Sequence, residues 1–127
     1  MRENELTEKV IGAAIEVHRV LGPGLLEVAY EEALCHELFL AKIPFRRQVM
    51  LPIQYKDIRL SADLRIDLLV DDLLIIELKS VDNVAPIHKA QLLTYLRLTN
   101  LRLGLLINFN ERLLKDGISR VVNGLPS

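Results

Sequence analysis

The chain has 127 residues, 50% apolar and 26% charged, with a formal net charge of −1. That length suits one folding unit able to bury a sheet against helices, and the balance excludes a disordered or low-complexity chain. No apolar stretch reaches the roughly 20 residues that cross a bilayer, the start MRENELTEKV lacks a basic-then-apolar leader, and a lone Cys35 excludes an internal disulfide and a cysteine-rich zinc site.

These features predict one domain over residues 1–127, cytoplasmic and without a membrane partner. From Leu6 to about Leu21, Leu6, Val10, Ala13, Ala14, Val17 and Leu21 recur at helical spacing. Gly22-Pro23-Gly24 breaks that helix, because glycine tolerates positive φ and proline cannot continue the ladder. A second helix is expected from about Leu25 to Ala41. After Pro44 the period becomes that of strands: 45–55, a turn at Lys56-Asp57, then 58–70. Pro52 marks the first strand as an edge or a bulge. Asp71-Asp72 is a turn, and Leu73–Ser80 a third strand. Pro86 opens a helix to about Thr99; Leu101–Asn108 is a strand; Lys115-Asp116-Gly117 is a turn before a short strand, Ile118–Val122, where helix is the alternative. The order ααβββαββ predicts an α/β (α+β) fold, a mixed sheet with helices packed on it.

The charge is uneven. Residues 1–37 carry three basic and eight acidic side chains, whereas 45–65 carry five basic (Arg46, Arg47, Lys56, Arg59, Arg65) and two acidic. Local positive charge suits a polyanion, and it equally suits a solvated hairpin face. Arg46 and Arg47 are the candidate nucleic-acid contacts.

The segment Arg65–Lys79 carries the chemistry. Strand alternation sets Ile66, Leu68 and Val70 on one face, matched by Leu74, Ile76 and Leu78 on the next strand. Asp67, Glu77 and Lys79 then gather on the opposite face. A two-residue turn would oppose Asp67 to Ile76 and send Glu77 to the other side. A shared site therefore needs a three-residue connection, Asp71 to Leu73, or a bulge. Two converging carboxylates are unfavourable without a cation or proton, and oxygen ligands suit Mg²⁺ or Mn²⁺. Lys79, roughly 6–7 Å beyond Glu77 on the same face, can orient water or offset charge on a phosphate. The same residues also read as ordinary surface charges, and an acidic-x-Lys triplet is too common to decide alone.

The wider pattern resembles the PD-(D/E)XK nuclease superfamily, whose core order is αβββαβ. Asp67 matches its metal-binding aspartate and Glu77-Leu78-Lys79 its (D/E)-x-K, with Ile66 where the name-giving proline stands. Gly24-Leu-Leu-Glu27-Val-Ala-Tyr30 resembles the signature of the GxxExxY group, and Ile75–Ser80 and Leu105–Phe109 are also similar to its members. The likeness runs from about Leu6 to Val122. It implies a catalytic set of Asp67, Glu77, Lys79 and Glu27, with metal held by Asp67, Glu77 and the carbonyl of Leu78. Gln91 and Tyr95, four apart on one helix face, resemble the extra motif of RecB-type nucleases. His88 points the same way or lies on the helix surface, and Tyr30 is expected as half core, half site wall. Glu27 has a second reading as a favourable charge in a helix's first turn.

The expected activity is Mg²⁺- or Mn²⁺-dependent phosphodiester hydrolysis of nucleic acid, DNA before RNA. The alternative is a catalytically silent nuclease-like scaffold in a larger complex. No Ser-His-Asp arrangement and no glycine-rich phosphate loop after a strand is present. A homodimer is open to a domain of this size, although no residue establishes it.

Overall fold

A computed structural model describes residues 2–124. Helix α1, Glu3–Leu21, buries Leu6, Val10, Ala14 and Val17 along one stripe, the spacing that the apolar periodicity predicts. It starts three residues earlier than expected because Glu3 and Glu5 favour the positive end of a helix. Gly22 stops it at φ +69°, giving its N–H to the His18 carbonyl at 2.8 Å. Helix α2, Glu27–Leu40, begins after the left-handed Gly24 (φ +98°) and buries Tyr30, Leu34 and Leu38 together with Glu31 and Cys35.

Among the described residues, five strands form one sheet in the order β1 (Phe45–Tyr55), β2 (Ile58–Val70), β3 (Leu74–Lys79), β4 (Leu103–Asn108) and β5 (Ile118–Val122). All neighbours are antiparallel except β3 and β4, which run parallel and are joined through helix α3, Pro86–Thr99. Parallel neighbours need such a crossover. The strand expected from Leu101 starts at Leu103, since Asn100 closes α3 in the left-handed conformation. Lys115-Asp116-Gly117, expected as a turn, belongs to one 3₁₀ turn, Leu114–Gly117, before β5. Helices α1 and α2 share the larger apolar cluster with one sheet face, and Leu92, Tyr95 and Leu96 of α3 cover the other.

Two hairpin expectations meet the structure differently. Val70 pairs with Leu74, Leu69 with Ile75 and Leu68 with Ile76, so Asp71-Asp72-Leu73 is the three-residue connection. Asp71 and Asp72 carry it at φ +52° and +53°, a region that short polar side chains tolerate better than branched ones. The face assignment needs correction. Leu68 and Val70 face α1 and α2, but Ile66 lies with Leu69 beneath α3. Strict alternation therefore fails at the residue between them, Asp67.

Candidate active site

Asp67 stands where β2 and β3 stop pairing. The ladder ends at Leu68–Ile76, and Asp67 Oδ2 accepts the Leu78 N–H at 2.9 Å. A strand residue presents its N–H and C=O to the same side, so the Leu78 carbonyl opens into the same gap. Asp67 is partly buried. With Leu78, Gln48 and three residues of α2 (Glu27, Val28 and Glu31) it lines a cavity of about 310 Å³.

Glu77 is 6% exposed, and its Oε1 has no hydrogen-bond partner. Burial first, then contact with the Asp67 carboxylate and its charge, push the Glu77 carboxyl up to about 10, against the opposing pull of Lys79. An unpartnered buried oxygen beside a second carboxylate is costly. A proton or a cation relieves that cost. Lys79, half-buried, accepts the Phe109 N–H on its carbonyl at 2.9 Å, which anchors the end of β3 to the segment after β4. Glu77 and Lys79 are not walls of the cavity: Glu77 abuts Asp67 and feels the Lys79 charge, and both alternate to the face opposite Leu78, which α3 covers. There Tyr95 is buried, its hydroxyl pushed up by burial and then by Glu77 and Asp67, with Gln91 acting the other way. The structure thus brings Asp67, Glu77, Lys79, Leu78, Gln91 and Tyr95 into one neighbourhood, with exposed Glu27 across the cavity.

Four expected residues do other work. Tyr30 is fully buried and is no site wall. Its hydroxyl donates to the Gly22 carbonyl at 2.6 Å and accepts the Leu25 N–H at 3.1 Å, while its ring stacks on Phe109 at 4.4 Å. Gly24, Glu27 and Tyr30 therefore form one device: a left-handed turn, a carboxylate presented at the start of α2, and a clamp on the turn. His88 accepts the Ala85 N–H on Nδ1 at 3.1 Å and caps α3. Arg46 is paired with Asp72 at 2.9 Å and Arg47 with Glu31 at 2.7 Å, so both expected phosphate contacts already hold carboxylates.

Sequence reasoning missed Glu31, Gln48, Ser80 and Asn108. Ser80 donates to the Leu25 carbonyl at 2.6 Å, joining the end of β3 to the loop before α2. Asn108, buried at the end of β4, donates to the Val81 carbonyl and accepts the Val81 N–H, so it pins the loop after Lys79. A readable signal existed for Glu31 alone: it is an acid one turn after Glu27 on the buried stripe of α2.

Among the described residues no three His, Cys, Asp or Glu side chains form a ready metal cluster. The donor set is two carboxylates and a backbone carbonyl, which fits a hard cation that keeps several waters. The unpartnered Glu77 Oε1 supplies the second point of fit. Among the described residues no helix is long and apolar enough to cross a membrane. The sequence model of the PD-(D/E)XK nuclease superfamily matches residues 4–121. No curated protein and no solved structure matches the chain.

Proposed function

We propose that this chain, which belongs to the PD-(D/E)XK nuclease superfamily, is a divalent-metal-dependent nuclease that hydrolyses phosphodiester bonds, with DNA as the expected substrate. The observation that carries the reading is the Asp67–Glu77 pair, in which a buried carboxyl with an unpartnered oxygen abuts a second carboxylate. Asp67, Glu77 and the Leu78 carbonyl would hold Mg²⁺ or Mn²⁺. The cation would supply a more acidic bound water and offset charge on the phosphate.

The chain's own residues do the rest. Lys79 steadies the attacking water or the extra negative charge as the new P–O bond forms and the old one breaks. Glu27 orients water from the α2 side of the cavity, and Gln91 and Tyr95 border the site from α3. Arg46 meets the nucleic-acid backbone by exchanging Asp72 for a phosphate, and Arg47 does so through the guanidinium N–H groups that Glu31 does not occupy. We further read Gly24–Tyr30 as the mark of the GxxExxY group, residues 1–127 as one nuclease unit, and the setting as cytoplasmic.

The test is cleavage of labelled single- and double-stranded DNA and RNA with Mg²⁺ or Mn²⁺, by wild type and Asp67→Asn. Cleavage lost in the variant is expected. Metal binding without cleavage of any substrate would instead leave a scaffold, and cleavage that Asp67→Asn leaves intact would point to a contaminant.

A further inference from the structure

Apart from the register shift between Pro52 and Gln54, strand alternation breaks at one inner rung of the β1–β2 ladder. Phe45 packs in the cluster beneath α1 and α2, whereas Val49 and Leu51 pack in the cluster beneath α3. Residues four apart in a regular strand share a face, so β1 changes face once between Phe45 and Val49. β2 does the same between Leu68 and Ile66. Arg47 pairs with Leu68 and Val49 with Ile66, one register from Phe45 to Pro52, which sets Gln48 opposite Asp67. Gln48 takes the change in its backbone at φ +50°, a left-handed conformation that costs free energy in a residue other than glycine.

Glu31 grips this rung from α2. Its Oε1 accepts Gln48 Nε2 at 2.6 Å, and its Oε2 accepts Arg47 Nε at 3.1 Å and Nη2 at 2.7 Å. The side chain is 8% exposed, against 40% for Arg47. A buried ion pair adds little net stability over an apolar side chain of similar volume, so stability alone does not account for an acid here. Position does: Glu31, Gln48 and Asp67 all line the same cavity.

We infer that Glu31 is a positioning residue of the cleavage site. By clamping Arg47 and Gln48 it holds the left-handed turn of β1, and the facing Asp67 leaves the strand face and turns its carboxylate toward β3. The role in cleavage rests on the reading of Asp67 as a metal ligand, but the position of Asp67 can be read without any metal, from the Leu78 amide that it accepts.

The experiment measures amide hydrogen exchange and calorimetric Mn²⁺ binding in wild type, Glu31→Ala, Glu31→Gln and the Glu31→Ala/Gln48→Gly double variant. Ile76, in the same strand, is the reference amide for general loosening. In Glu31→Ala the Leu78 amide should exchange about tenfold faster beyond any change at Ile76, and Mn²⁺ affinity should fall about 10–100-fold, as for loss of an outer-shell partner. Gln48→Gly should restore most of both, because glycine holds positive φ without strain. If Glu31→Ala does not fold, Glu31→Gln keeps the shape and one acceptor, and the same preferential exposure of Leu78 is expected at roughly a third of the effect or less. Leu78 and Ile76 changing together, with Mn²⁺ affinity unaltered, overturns the positioning role. Wild type that binds no Mn²⁺ overturns the metal reading alone, since the Leu78 amide still decides the clamp.

Discussion

Asp67 Oδ2 accepts the backbone amide of Leu78 at 2.9 Å, where a regular hairpin would have continued its ladder. One carboxylate therefore both ends the β2–β3 pairing and faces the cavity. Asp67→Asn should weaken Mn²⁺ binding and abolish cleavage together, because it removes a charged ligand while keeping an acceptor for Leu78. Lys79→Ala should leave binding intact or slightly tighter, since a nearby cation opposes the metal, and lower the rate by roughly 10²–10³. Calorimetry and single-turnover cleavage separate the two. Equal effects of both variants on binding would remove Lys79 from the chemistry.

The Glu77 carboxyl, raised from 4.5 to about 10, sets a pH dependence for the metal-free protein. Between those values the folded state keeps a proton that the unfolded state has released. Stability from this group is then complete below about pH 4.5 and is lost as pH rises toward 10. Urea unfolding in chelator should show stability declining across this window, by at most about 1.4 kcal/mol per pH unit. Glu77→Gln should flatten the decline. A cation favours the ionised carboxyl, so Mn²⁺ affinity should rise with pH and binding should release protons. A metal-free profile that is level from pH 5 to 9 in wild type would rule out a buried proton on Glu77.

Much of the fold was legible in the sequence because its signals are local. The stripe Leu6, Val10, Ala14, Val17, the proline opening α3 and the charged turns bounding β2 each act within a few residues. Asp67, Glu77 and Lys79 were legible as a set once the connection was counted at three residues. The face of Ile66 was not, because alternation assumes a regular strand and the break at Asp67 is tied to a left-handed backbone at Gln48 on another strand. Tyr30 was misjudged for a related reason. Its partners Gly22, Leu25 and Phe109 meet only after α1, α2 and β4 have packed.

The two arginines ahead of the site should separate in their effects. Arg46 holds exposed Asp72, a pair of little worth to stability. Arg46→Gln should leave unfolding unchanged within about 0.5 kcal/mol while weakening DNA binding and lowering its salt slope by about one. Arg47→Gln should weaken binding as well, but should also destabilise by about 1–3 kcal/mol, because it leaves buried Glu31 without its charged donor. Fluorescence anisotropy across a salt series, beside urea unfolding, checks both. Unchanged affinity and slope in the double variant would move the nucleic-acid path off this hairpin.

Tyr30→Phe tests whether the tyrosine of the Gly24–Tyr30 segment serves the turn or the site. The substitution keeps the ring stacked on Phe109 but removes the hydroxyl that serves the Gly22 carbonyl and the Leu25 N–H. Two backbone groups in a partly buried turn lose their partner, a cost of about 1–2 kcal/mol. Ser80 still holds the Leu25 carbonyl, so the loop should loosen without detaching and Glu27 should keep its approximate place. The expected outcome is a lower urea midpoint with an unchanged m-value and Mn²⁺ affinity within about threefold of wild type, since no cation ligand is touched. A tyrosine that walled the site would give the reverse: near-normal stability with a large loss in cleavage rate. Urea unfolding, calorimetry and cleavage on the same preparation distinguish them, and a rate loss beyond about tenfold at unchanged stability would return the Tyr30 hydroxyl to the active site.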